Sequence, residues 1–249
     1  MILFACGDSY TYGEELDDRT KSYPYILGQL LNANEVVNKG ICSGSNEYIF
    51  KSLNDFVIDK TLSNDTDELF VVIGWSSSIR WEAYLSDYSK FVQLKIDRSL
   101  RFVDTDKCTI IREDSIVDSI MSKTKLQVYN DIVQDFICTF KRNSVYNMYC
   151  KYNLMFSAHR MLVSYDIRHM FFNSLYEDNE FKDVKLGKNE LKLLSKIREL
   201  KLILNNSKYM ISNTTMDRYC KSYPIGSKEG HPLEEGHKAW AEYIAKQIQ

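Results

Sequence analysis

Apolar residues occur along this chain in two ways, as short unbroken runs and as longer stretches with helical spacing, and the two alternate. Residues 1–6, MILFAC, are apolar without interruption, which at this length predicts a strand buried on both faces. Residues 22–32, SYPYILGQLLN, place Tyr25, Ile26, Gln29 and Leu30 at helical intervals, with Pro24 suited to a first turn. EVVNKG at 35–40 predicts a second strand closing on glycine, and 45–62 a helix with Ile49, Leu53, Phe56 and Val57 on one face. DELFVVIGW at 67–75 gives the strongest strand signal, that of a central parallel strand. DIRHMFFN at 166–173 and SKYMISN at 207–213 predict two more strands, separated by a helix over 187–206. From Pro232 a last helix is expected, with Leu233, Trp240, Ile244 and Ile248 near one face.

This rhythm predicts an α/β chain: a mostly parallel five-stranded sheet with helices on both faces, as one three-layer α/β/α domain over residues 1–249. Between residues 80 and 165 the periodicity blurs into a polar, Tyr-rich stretch too long for a loop. It is expected to be a helical insertion, either a lid over the C-terminal edge of the sheet or one more packed layer.

Composition narrows the classes of function. A formal net charge of −2 gives no global reason to expect nucleic acid or an anionic membrane as partner. No stretch reaches about eighteen consecutive apolar residues, so no membrane span is expected. The first run is too short, and lacks the basic flank, for a secretory signal. Six cysteines without a CxxC pair read as reduced thiols, which with the missing signal implies a cytoplasmic setting. GxxxxGK[ST], GxGxxG, HExxH and EF-hand patterns are absent.

In open α/β sheets ligands bind beyond the carboxyl ends of the strands. The predicted strands are followed there by Gly7-Asp8-Ser9, by Asn38-Lys39-Gly40 leading to Ser43-Gly44-Ser45-Asn46, and by Gly74-Trp75-Ser76-Ser77-Ser78-Ile79-Arg80; Gly230-His231-Pro232 precedes the last helix. These residue types suit acyl transfer. A serine hydroxyl becomes a useful nucleophile when an imidazole takes its proton, and fixed N–H donors hold the oxyanion that forms. Ser9, His231 and Gly44 can supply nucleophile, base and oxyanion donor if the fold joins the two ends of the chain. Arg80 suggests either a partner for a substrate carboxylate or phosphate, or an ion pair with Glu82 or Asp87. His237 is expected to pack or face solvent, and His159 and His169, without local partners, to be structural.

At these residues the chain resembles the SGNH (GDSL-type) hydrolases, and most of all the SGNH-hydrolase-type proteins of large tailed phages. Gly7-Asp8-Ser9 matches the first block of that family, VNKGICSGSN loosely matches the second, and EGHPLEEGHKAWA the last. The resemblance implies a flavodoxin-like fold and a serine esterase or deacetylase acting on a small O-acyl ester, of a carbohydrate or similar polar substrate, without metal or organic cofactor. Ser9 would attack and His231 would act as base, in the host cytoplasm if the chain is phage-encoded. The N–H groups of Ser9 and Gly44 would hold the oxyanion, with Ser43 the alternative to Gly44. Two departures stand out. The third block, Gly-x-Asn-Asp in the family, reads Gly74-Trp75-Ser76-Ser77 here, leaving Ser76 or Asn46 to replace the missing amide. The acid expected three residues before the histidine is Lys228, so Glu229 is the nearest carboxylate to orient His231. These departures keep two other readings open, a weakened scaffold that only binds and an acyltransferase.

Overall fold

The computed structural model describes residues 1–63, 67–85, 90–95, 102–104, 109–111, 144–175, 187–228 and 230–248. Its strands are β1 (Ile2–Cys6), β2 (Glu35–Asn38), β3 (Leu69–Trp75), β4 (Arg80–Leu85), β5 (Lys90–Lys95), β6 (Phe102–Asp104), β7 (Thr109–Ile111), β8 (Arg168–Asn173) and β9 (Met210–Ile211). Five of them form one all-parallel sheet in the order β2-β1-β3-β8-β9. That is the flavodoxin-like order of a doubly wound sheet, whose direction of winding reverses between β1 and β3 and opens a crevice at their carboxyl ends.

Side chains alternate across this sheet, so each strand feeds two cores. Phe4 and Cys6 of β1, Val71, Ile73 and Trp75 of β3 and Phe171 of β8 face one side. They pack against α3 (Asn46–Leu62) through Ile49, Leu53 and Val57, and against α4 (Ser144–Ser164) and α5 (Lys188–Asn205). Leu3, Phe70, Val72, Met170, Phe172 and Ile211 face the other side. There they meet Tyr23 and Leu27 of α2 (Tyr23–Leu30), Met216 and Cys220 of α6 (Met216–Cys220), and Trp240, Ala241 and Ile244 of α7 (Glu234–Ile248). The chain is therefore a three-layer α/β/α structure, with a single-turn helix α1 (Ser9–Tyr12) directly after β1.

The stretch expected to be helical between 80 and 165 is helical only over α4 among the described residues. Residues 80–111 contain a four-stranded antiparallel sheet, β4-β5-β6-β7, and α4 belongs to the main core. The density of Tyr and charge around RWEAYL and KFVQLK leaves no clean strand period to read there. The centre of the expected lid, residues 112–143, lies outside the described residues. Among the described residues no helix is long and apolar enough to cross a membrane, and Cys6, Cys42, Cys150 and Cys220 are free thiols. Burial pushes the Cys6 and Cys220 thiols up to about 12, which suits apolar filling rather than reactivity.

Candidate active site

The turn bearing Ser9 is built by a short helix capped at both ends. Asp8 is the N-cap of α1, and its Oδ1 accepts the Tyr10 N–H at 3.2 Å. Gly13 closes the helix in the left-handed region at φ 81°, its N–H on the Ser9 carbonyl at 3.0 Å. Glu15 then takes an unusual left-handed backbone for a glutamate, φ 68°. The result is a tight reversal that brings the chain after Gly13 back toward Ser9.

His231 arrives from the other end of the sequence, on the loop before α7. Its Nε2 lies 2.8 Å from Ser9 Oγ, with Ser9 only 2% exposed. Its Nδ1 lies 3.2 Å from Glu15 Oε2. A neutral imidazole protonated at Nδ1 satisfies both contacts, donating to the carboxylate and accepting the serine hydroxyl. Glu15 also accepts the backbone N–H of His231 at 2.9 Å through Oε2 and that of Lys228 at 2.8 Å through Oε1. The loop is held in turn by the Gly226 N–H on the His231 carbonyl at 2.7 Å and by an antiparallel bridge between Ile225 and Pro232. A Cβ at Gly226 would collide with the Glu15 carboxylate, so glycine is what lets that carboxylate in.

Two further groups touch the imidazole. Tyr10 packs against it with ring centroids 5.1 Å apart and donates its hydroxyl to Asp217 Oδ1 at 2.9 Å. Burial and then the Asp217 carboxylate push the Tyr10 hydroxyl well above the usual tyrosine range, so it remains a donor. Glu14 Oε2 lies 3.6 Å from Nε2, on the side of the ring that faces the serine.

The carboxylate that meets Nδ1 is Glu15, six residues after the serine, a residue to which sequence reading gives no role. Glu229, expected in that place, lies outside the described residues. A signal was present in hindsight: a glycine that reverses a one-turn helix, followed at once by Glu14-Glu15.

Three of the expected oxyanion donors, Ser76, Asn46 and Gly44, are hydrogen-bonded elsewhere. The Ser76 hydroxyl donates to Asp8 Oδ2 at 3.0 Å. Asn46 uses its amide on the carbonyls of Ser76 and Ser77, at 3.3 and 3.2 Å, while its Oδ1 accepts the Ser76 N–H at 2.9 Å. The Gly44 N–H closes a turn onto the Ile41 carbonyl at 3.2 Å. The backbone groups left open are the N–H of Ser9, at the start of α1, and that of Ser43, in the left-handed region at φ 59°; among the described residues nothing accepts either. The turn bearing Ser43 is laced to the turn bearing Ser9 by the Ile41 N–H on the Gly7 carbonyl at 3.2 Å.

Arg80 is 8% exposed, and its NH1 pairs with Asp8 Oδ2 at 3.2 Å rather than with Glu82. Asp87, the other carboxylate expected as its partner, lies outside the described residues. Glu82 instead pairs with Lys51 of α3 at 2.7 Å.

His237 is fully buried, its Nδ1 accepting the Tyr23 N–H at 3.1 Å. Burial, then the nearby charge of His231, pushes it down to about 3. His159 and His169 are not without partners, as their sequence surroundings suggested: His159 Nδ1 and His169 Nε2 are 2.9 Å apart, bringing together α4 and β8.

A family model described as a family of unknown function (DUF6071) matches residues 11–122. No curated protein matches the chain. Among solved structures it is similar to a member of the lipolytic protein G-D-S-L family from Veillonella parvula, at 14% identity over 99% of this chain and 97% of that one, TM-score 0.46. It is also similar to a lipase/acylhydrolase from Enterococcus faecalis, at 14% identity over 100% and 95% of the chains, TM-score 0.43. A psychrotrophic esterase from a Pseudoalteromonas species is similar at 9% identity over 99% and 96%, TM-score 0.45.

Proposed function

We propose that this protein is a serine ester hydrolase acting on a small O-acyl ester of a polar, hydroxyl-rich alcohol, such as a carbohydrate. The observation that carries this reading is the buried relay Ser9–His231–Glu15, with contacts of 2.8 and 3.2 Å on the two nitrogens of one imidazole. The chemistry follows from those contacts. Ser9 Oγ attacks the acyl carbonyl carbon while Nε2 takes its proton, and Glu15 stabilises the imidazolium that forms. The Ser9 N–H, joined by that of Ser43, offers hydrogen bonds to the tetrahedral oxyanion. Collapse breaks the bond to the alcohol oxygen, which leaves with the proton from Nε2. Water then attacks the acyl-serine, giving its proton to Nε2, and the carboxylic acid departs as Ser9 is restored. Glu14, beside Nε2, supplies a hydrogen-bond acceptor where the leaving alcohol must sit, which supports an alcohol that carries further hydroxyls.

The test is hydrolysis of p-nitrophenyl acetate by wild type and Ser9→Ala, with a fluorophosphonate probe mapped by mass spectrometry. The serine variant is expected to lose at least about a thousandfold in kcat, and the probe to label Ser9 alone. Equal rates for the two proteins, or labelling elsewhere, would end this reading.

A further inference from the structure

Asp8 precedes Ser9, caps the helix that carries it, and is fully buried. Its two oxygens have separate tasks. Oδ1 takes the N–H of Tyr10, the second residue of the helix, which leaves the N–H of Ser9, the first, free to meet an oxyanion. Oδ2 accepts from Ser76 Oγ at 3.0 Å and from Arg80 NH1 at 3.2 Å, and Arg80 NH1 also reaches Ser76 Oγ at 3.2 Å. These three side chains close a triangle that fixes the rotation of the carboxylate, and with it which N–H the other oxygen caps. The triangle is anchored from outside, because Asn46, the first residue of α3, holds the backbone of Ser76 at both its N–H and its carbonyl.

We infer that Arg80 is a positioning residue for the Ser9 nucleophile, acting through Asp8 without touching the substrate. The inference rests on the reading of Ser9 as nucleophile. Arg80 is suited to this by geometry and by charge. It is the first residue of β4, the point at which the chain leaves the main sheet for the antiparallel one. Its guanidinium lies beside a carboxylate with no exposure to solvent, so that carboxylate has no water to turn to once the cation is removed. With Ser76 Oγ as the donor that stays at Oδ2, the carboxylate either shifts with that hydroxyl or turns toward the N–H of Ser9. Either response moves the serine or takes up an oxyanion donor, and both lower turnover rather than substrate binding.

Arg80→Lys and Arg80→Ala, compared with wild type and Ser9→Ala on p-nitrophenyl acetate, test this. Lysine keeps the charge but not the planar fork, and is expected to lower kcat by about tenfold; alanine should lower it by about a hundredfold, as small displacements of a reacting group do. KM should stay within about twofold in both, and the rate of fluorophosphonate labelling should fall in parallel with kcat. Tens of millimolar guanidinium should restore part of the rate to Arg80→Ala while leaving wild type unchanged. The inference is overturned if either folded variant, checked by near-ultraviolet circular dichroism, keeps kcat near the wild-type value, or if the loss appears only in KM. Should Arg80→Ala fail to fold, Arg80→Lys decides alone. Ser9→Ala as active as wild type would instead remove the nucleophile itself, whatever the Arg80 variants do.

Discussion

Glu15 holds His231 by two contacts of different kinds, one to the ring and one to the backbone N–H, so it fixes both where the base sits and which nitrogen carries its proton. Replacing Glu15 by glutamine keeps the shape and leaves an amide that no longer fixes the tautomer or balances the imidazolium. We expect kcat for an activated acetate ester to fall by about ten-thousandfold, as when a triad carboxylate becomes an amide. Glu229→Gln should remain within about twofold of wild type, because the Nδ1 contact is already made by Glu15. Steady-state kinetics on the two variants separates the carboxylates, and the opposite ranking would return the role to Glu229. Sequence alone pointed to Ser9 and His231, which the fold brings to 2.8 Å, because a strand end and a His-Pro before a helix are local signs. It concealed the carboxylate, whose position depends on a left-handed Glu15 and on room made by Gly226, and neither has a periodic trace.

The elements legible in advance were those with a strong period or an unbroken apolar run. β1, β3 and β8 fell where expected, as did α2, α3, α5 and α7, because each feeds a core on one or both faces of the sheet. β9 was foreseen as a longer strand and is only Met210–Ile211, paired with Phe171 and Phe172; it lies at the sheet edge, where one neighbour suffices. β4 to β7 lie outside the expectation, since strands of an antiparallel sheet are defined by their cross-strand partners more than by their own composition. α1 is the element on which the site turns, and four residues cannot form a helix on propensity alone. It depends on its caps. Gly13→Ala would put a Cβ 2.8 Å from that of Ser22 at a backbone φ of 81°. We expect a loss of about 1–3 kcal/mol in urea unfolding, together with a lower fluorophosphonate labelling rate, because the strain falls next to Ser9. A fully stable Gly13→Ala would show that the helix does not need its glycine.

Across the whole molecule, buried neutral histidines set the response to acid. Burial holds His169 down to about 4, and His237 to about 3, against about 6.5 in an unfolded chain. His169 donates from Nδ1 to the Ile167 carbonyl at 2.9 Å and accepts from His159 at Nε2, so a proton there would break the link between β8 and α4. As pH falls below about 6.5 the unfolded chain takes up protons that the folded one refuses. The stability these residues contribute is therefore complete above that pH and is lost as the pH drops toward their folded values. Between pH 7 and pH 5 the expected loss is about 2 kcal/mol for each. Urea unfolding at the two pH values measures it, and His169→Phe should remove about half of the slope; an unchanged slope would show that His169 is not held neutral.

The pairing of Ser9 with His231 spans 222 positions, while Ser9 and Glu15, the carboxylate on that imidazole, share one short reversal. Two of the three groups are thus near neighbours in the chain, and the third comes to them from beyond the last strand of the sheet. On the proposed reading, a chain whose last helix has come loose would carry a serine with no base to activate it. It would then be chemically silent, the 222-position span acting as an interlock that ties reactivity to the finished fold.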